Sequence, residues 1–407
     1  MSSSASSSAS LDSTEEFISS LDLGIIERLA LTVRREVSGG GQVLPSALSC
    51  VVDSPPKSGS YNVVYRLCFS DGLQWAIRIP LRQWNITHAR SMRLDIVAQE
   101  YILAHTSIPI PRIHSHSCNL DNALGHPYII TDYAEGTRLV DVWNDPSWWE
   151  GDRTKERTLS SFAKHMVELS MLEFAEIGRL ECVESDGSHV VSPFPSLLAL
   201  NEALTGPDRE LGPFDNIQAY LGTLIAERRR QNDTPMLVLL SVLLKILTEG
   251  PYESAPFHLC HPDCDSQNIF VDDTTGEISA IIDWDGVAVV PRQLGALSYP
   301  SWITVDWDPL MYQIYEDQPH CDTEDDLHAF RTMYFNAINA LSPERAAVTR
   351  NSHIAAWGIG IWIKGSRVRD YARDRDRTLV QRESLGHFAA FGKKGKCRRR
   401  GEGRGWG

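Results

Sequence analysis

The sequence predicts an α+β protein of two lobes, with a small antiparallel β-rich N-terminal lobe and a larger, mainly helical C-terminal one. Three observations carry this. Two β-type runs are joined by a Ser70-Asp71-Gly72 turn. One helical segment separates that hairpin from a further strand. Beyond residue 137 helical spacing dominates.

Residues 1–14 are Ser-rich, without a basic or apolar block, and read as a disordered leader rather than a targeting segment. Apolar spacing then predicts a helix from Glu15 to Val37, stopped by Ser38-Gly39-Gly40-Gly41. Tyr61 to Phe69 and Leu73 to Ile79 form the hairpin. Met92 to Thr106 carries apolar positions 94, 97, 101, 102 and 103, a helix that Pro109-Ile110-Pro111 stops. Tyr128 to Thr131 reads as a strand running into a connector at 132–136. Helices are expected at roughly 155–177, 215–230 and 235–248, around a loop-rich stretch at 183–214. The organisation is therefore leader 1–14, N-terminal helix and N-lobe 15–131, connector 132–136, helical C-lobe 137–392 and basic tail 393–407.

With 407 residues, 42% hydrophobic and 23% charged, the composition is that of a globular protein able to bury a sizeable core. A net charge of −14 argues against a nucleic-acid partner, because phosphate backbones need a basic face. The tail runs against that sign, with seven basic residues and one acid from Lys393 to Gly407, and reads as a solvated, disordered end. The longest apolar stretch, Met236 to Leu247, is broken by Ser241 and Lys245 and is shorter than the about 20 residues a bilayer demands. No membrane partner is expected. The eight cysteines lack paired spacing, and a cytoplasmic location is expected.

The chemistry concentrates in His261-x-Asp263-x-x-x-x-Asn268, followed by the β-type run Ile269-Phe270-Val271. After an Asp273-Thr274-Thr275-Gly276 turn comes Ile281-Ile282-Asp283-Trp284-Asp285, an apolar strand ending in carboxylates. A loop placing Asp263 and Asn268 five residues apart, with a hairpin returning Asp283, gathers one carboxylate that can take a hydroxyl proton and two oxygen donors suited to Mg2+. As ordinary turn residues these three would have no reason to share such spacing. Cys260, His261 and Cys264 invite a zinc reading, but no second Cys/His pair supplies a fourth ligand.

This pattern resembles the aminoglycoside phosphotransferase family, the small-molecule branch of the protein-kinase-like fold. The resemblance spans roughly residues 45–340 and has a fungal character in Phe174 to Gly178 and Gly212 to Tyr220. It implies that Asp263 is the catalytic base, that His261 braces its loop, and that Asn268 and Asp283 hold Mg2+. Gly59, Ser60, Tyr61 and Asn62 match the phosphate-covering loop, and Arg78 the phosphate-pairing strand position. Asp132, Tyr133 and Ala134 match the hinge that meets adenine. The implied reaction moves the γ-phosphate of ATP to a hydroxyl of a small-molecule acceptor.

Three positions depart from the pattern. Arg78 stands where protein kinases have Lys, and the two are not interchangeable. The acid expected to pair with it is Asp95, with Glu100 as the other candidate. The phosphate loop has one glycine, Gly59, rather than three. Arg78 and the sparse phosphate loop are the best support for the rival reading, a non-catalytic nucleotide-binding or scaffold protein, and the intact set of Asp263, Asn268 and Asp283 argues against it. A third reading is a Ser/Thr protein kinase, against which stands the lack of an Ala-Pro-Glu-like segment after Asp283. Asp285 is open between electrostatic support and a loop cap. His105, His114 and His116 are expected to face solvent, and Trp143, Trp148 and Trp149 to pack helices under the hinge. The acids Glu316-Asp317 and Glu324-Asp325-Asp326 read as solvated surface.

Overall fold

The structure is a computed structural model that describes residues 14–38, 48–59, 61–195, 210–231, 252–307 and 320–355, with the single positions 238, 250, 312 and 315. Helix α1 (Leu23–Ser38) precedes strands β1 (Cys50–Ser58), β2 (Asn62–Phe69) and β3 (Gln74–Pro80). Helix α2 (Ile86–His105) follows, then β4 (Ile113–Ser117) and β5 (Tyr128–Asp132). The strands form one antiparallel sheet in the order β1-β2-β3-β5-β4. Alternation explains its inner face: Val63, Tyr65, Leu67 and Phe69 of β2 and Trp75, Ile77 and Ile79 of β3 are buried, every second residue. Ile26, Ala30 and Val33 of α1 pack against them, one turn of helix apart.

The helix expected over Glu15 to Val37 is divided. Residues 14–20 are helical, the chain breaks at Leu21-Asp22, and α1 restarts. The Asp22 carboxylate accepts the N–H groups of Gly24 at 2.8 Å and Ile25 at 3.2 Å, so it caps the restart. Helix α2 begins earlier than Met92, because the Asn85 side chain accepts the His88 N–H at 2.9 Å. Strand β4 lies in what composition marks as a connector. Its His114 does not face solvent: it stacks on Trp75 at 4.1 Å and donates from Nε2 to Asp132 at 2.6 Å. His105 and His116 are exposed.

The second part opens with β6 (Thr137–Arg138), the short helix α3 (Leu139–Val142) and helix α4 (Lys155–Ser170). Strands β7 (Glu173–Phe174), β8 (Arg179–Cys182) and β9 (His189–Ser192) lead to helix α5 (Ile217–Gln231). Then come β10 (Phe257–Cys260), β11 (Ile269–Val271), β12 (Ile278–Ile281) and β13 (Ala288–Val290), and helices α6 (Glu324–Leu341) and α7 (Pro343–Ala355). Two small sheets, β13-β10-β7 and β12-β11-β6, rest on a core that includes Phe162 and Met166 of α4, Phe257, Val271, Trp302 and Tyr334. Helix α4 is shorter than expected because Phe174 is drawn into pairing with Phe257. The helix expected at 235–248 and the acids Glu316-Asp317 lie outside the described residues.

Glu324, Asp325 and Asp326 occupy the first turn of α6, where Asp326 completes a capping box with Thr323. Trp143 is buried and donates from Nε1 to Asp322 at 2.6 Å, while Lys155 reaches the other oxygen of Asp322 at 2.8 Å. Among the described residues no helix is long and apolar enough to cross a membrane.

His258, on β10 immediately before the catalytic window, is buried. Burial, with Arg345 and Arg292 nearby, lowers its pKa from 6.5 to about 4. The unfolded chain therefore binds more protons between these values, so stability rises with pH through that window and is fully present above 6.5. Lowering the pH from 7 to 4 should cost on the order of 3 kcal/mol through this group. Chemical denaturation across that range should show His258→Leu losing less stability than wild type by that amount; parallel profiles would contradict it.

Candidate active site

Two loops build the site, and one residue laces them. The first runs from β10 through a 3-10 turn at Ser266–Asn268 into β11. The second leaves β12 at Ile281. Ile282 donates its N–H to Asn268 O at 2.9 Å and accepts from His261 Nε2 at 2.9 Å. His261 Nδ1 in turn accepts the Asp263 N–H at 3.1 Å, which fixes the tautomer with the proton on Nε2. His261 is 4% exposed and meets Trp284 edge-on at 4.5 Å.

Asn268 is buried, and its Nδ2 donates to Asp263 O at 2.9 Å and to Asp263 Oδ2 at 3.2 Å. Gln267 donates to the same carboxylate oxygen at 3.3 Å. With its amide nitrogen committed to Asp263, Asn268 presents Oδ1 as the atom able to meet a cation. Asp283 follows the lace at φ +63, a left-handed conformation that non-glycine residues seldom adopt. Trp284 anchors that turn, 1% exposed, with Nε1 donating to Ile281 O at 2.9 Å. The flanking carboxylates, Asp283 and Asp285, stay 43% and 42% exposed. The Asp-Trp-Asp order thus sinks the indole and leaves both acids at the surface.

Arg78, on β3, reaches across to these acids. Nη1 lies 3.1 Å from Asp283 Oδ1 and Nη2 lies 2.7 Å from Asp285 Oδ1. Burial works against its charge, but Asp285 and Asp283 outweigh that and raise its pKa. Asp283 is thus held in an ion pair with Arg78. Asp283 and Asn268 are hard oxygen donors, so the residues present fit Mg2+.

The pairing of Arg78 with a helix acid does not occur. Asp95 Oδ1 accepts instead from Arg179 Nη2 at 2.6 Å and from the Gly286 N–H at 2.6 Å, and Glu100 is exposed. Register and depth explain this: Asp95 is on the buried face of α2, against β8 rather than β3. Burial raises the Asp95 pKa to about 7, against the pull of Arg179 and the Gly286 amide. Arg179 is 84 residues distant from Asp95 and lies outside any local pattern around it.

At the connector, the Asp132 N–H donates to Arg112 O at 3.0 Å, and the Tyr133 N–H donates to Gln74 O at 3.3 Å. Asp132 is stiffened by His114: burial opposes its ionisation, but the His114 bond wins and lowers its pKa. Ala134 lies past the end of the sheet. Gly136, at φ +94, approaches β11 so closely that a Cβ would stand 2.3 Å from Val271 O, which only glycine tolerates. Of the phosphate-loop residues, the Gly59 N–H donates to Asn62 O at 3.0 Å. Tyr61 is exposed, and Ser60 lies outside the described residues. Lys57 lies over the Tyr133 ring at 5.9 Å, linking the end of β1 to the connector.

Asp263, Asn268 and Asp283 thus stand on two loops tied at Ile282, with Arg78 against Asp283. The model of the phosphotransferase enzyme family (APH) matches residues 54–330, and the chain belongs to that family. A subtelomeric hrmA-associated cluster protein of Aspergillus fumigatus is 24% identical over 305 residues, 60% of this chain and 59% of that one. A Meyerozyma guilliermondii protein named altered inheritance of mitochondria protein 9, mitochondrial, is 21% identical over 123 residues, 30% of this chain. The match spans only 20% of that yeast relative's length. Among solved structures, a thermostable mutant of aminoglycoside phosphotransferase APH(4)-Ia aligns with 15% identity, 87% of this chain, 99% of the other and a TM-score of 0.46. A fructosamine-3-kinase homologue of Thermobifida fusca aligns with 16% identity, 80% of this chain, 93% of the other and a TM-score of 0.39.

Replacing His261 removes one of the two bonds that tie the loops at Ile282 and the bond to Asp263 within the first loop, leaving Ile282 N–H on Asn268 O. His261→Leu should lower stability by about 1–3 kcal/mol through the unpaired Ile282 carbonyl and Asp263 amide. A denaturant midpoint equal to wild type would show that the lace carries no weight.

Proposed function

We propose that the protein transfers the γ-phosphoryl group of ATP to a hydroxyl of a small-molecule acceptor, in a cleft between a β-rich and a helical lobe. The observation that carries this is the lacing at Ile282, which brings the loop of Asp263 and Asn268 beside Asp283. The Asp263 carboxylate, oriented by Asn268 and Gln267, takes the proton of the acceptor hydroxyl. The acceptor oxygen then bonds to the γ-phosphorus, the bond to the bridging oxygen breaks, and ADP leaves. Asn268 and Asp283 would hold Mg2+, which neutralises charge on the phosphates when bound.

Arg78 is placed to pair with phosphate oxygens, two at a time, in exchange for its present carboxylates. Adenine would meet the backbone around Asp132, Tyr133 and Ala134, and the turn at Gly59 to Asn62 would cover the phosphates. A small acceptor rather than a protein fits the chain's family.

Mg-ATP at a hundredfold excess over Kd should stabilise wild type by about 2.7 kcal/mol, read as a rise in Tm. Asp283→Asn should abolish most of that rise. Asp263→Asn should keep it and lower phosphate transfer in an acceptor screen by about 10²–10⁴-fold. Nucleotide binding with no transfer to any hydroxyl compound would favour the scaffold reading. Transfer to Ser or Thr peptides would favour the protein kinase.

A further inference from the structure

Asp95 and Arg179 form an ion pair that is almost sealed, with side chains 6% and 3% exposed. Removing two charges from water costs about as much as their attraction returns, so such a pair is poorly explained as a source of stability. Its geometry points elsewhere. The same oxygen, Asp95 Oδ1, takes Arg179 Nη2 and the Gly286 N–H, both at 2.6 Å. Gly286 ends the Asp283-Trp284-Asp285 turn and has a left-handed backbone, φ +86.

Arg179 is itself fixed. Its neighbour Gly178 exchanges two backbone bonds with Val289, at 3.1 and 2.8 Å, and Ser192 Oγ donates to Arg179 O at 3.2 Å. Arg179 Nη2 also donates to Ser91 O on α2 at 3.4 Å. The guanidinium therefore ties α2 to the β8 strand and, through Asp95, to the turn that carries Asp283. Asp283 is consequently pinned on both sides: at Ile282 by the catalytic loop and at Gly286 by this pair.

We propose that Arg179 is a positioning residue for Mg2+ binding, acting through Asp95 and the Gly286 amide on the orientation of Asp283. It takes over the anchoring of the helix acid that the resemblance assigns to Arg78. Arg78 is thereby left to Asp283, Asp285 and the nucleotide phosphates. This rests on the reading of Asp283 as a Mg2+ ligand.

The test reads Mg2+ dependence, not turnover. Thermal shift with saturating ATP is titrated with Mg2+ in wild type and in Asp95→Asn/Arg179→Met, which removes both charges together. The Mg2+ concentration giving half of the shift should rise about ten- to a hundredfold in the double variant, as for residues that orient metal ligands. The shift produced by adenosine in EDTA should be unchanged. Arg179→Lys covers the case in which the double variant does not fold: it keeps the charge, loses the planar fork, and should raise the midpoint by about threefold or more. A variant with lowered basal Tm but a wild-type Mg2+ midpoint overturns the inference and makes the pair structural only. A wild type without any Mg2+-dependent shift sinks the phosphotransfer reading itself, a distinct outcome.

Discussion

Everything in the site depends on the two backbone groups of Ile282. Its N–H and its carbonyl are both spent on the neighbouring loop, one on Asn268 O and the other on His261 Nε2. Ordering a loop residue costs about 1–2 kcal/mol of backbone entropy, and a left-handed Asp283 adds to that. Two short bonds at the preceding residue, a buried indole at the next and an anchored amide at Gly286 offset the cost. The result is a carboxylate whose backbone is fixed on both sides.

The electrostatics divide cleanly by depth. Asp283 and Asp285 remain near half-exposed and share the Arg78 guanidinium. Asp95 is sealed, and there the charge is tolerable only with Arg179 against it. A single helix acid could not serve both environments. The protein uses one acid inside to hold the turn and two at the edge, Asp283 and Asp285, to hold Arg78.

Local pattern made much of this legible. The β2–β3 hairpin follows from strict alternation around a Ser-Asp-Gly turn, and the loops of Asp263 and Asp283 from carboxylates set at the ends of apolar strands. What escaped was carried by contacts rather than by pattern. Strand β4 reads Ile-His-Ser-His-Ser, too polar for a hydrophobic period, and is ordered by His114 stacking on Trp75 and bonding Asp132. The break at Asp22 was hidden because apolar spacing continues across it, while a capping carboxylate decides the boundary. The partner of Asp95 was invisible for a further reason: an arginine in a short polar strand carries no local sign of which distant acid it will meet.

The departures at Arg78 and Asp95 become one arrangement when Asp285 is set beside them. A lysine at position 78 would offer a single point charge, well suited to one helix acid. An arginine offers two nitrogens on a planar fork, and here Nη1 and Nη2 go to different carboxylates, Asp283 and Asp285. The second acid of the Asp-Trp-Asp turn is what makes that fork useful, since it holds the guanidinium over the cleft. Once Arg78 is held from the turn side, α2 no longer has to supply its partner, and the shorter Asp95 is free to reach inward to Arg179. Arg78 is thus held from the turn and Asp95 from Arg179, in two separate pairings.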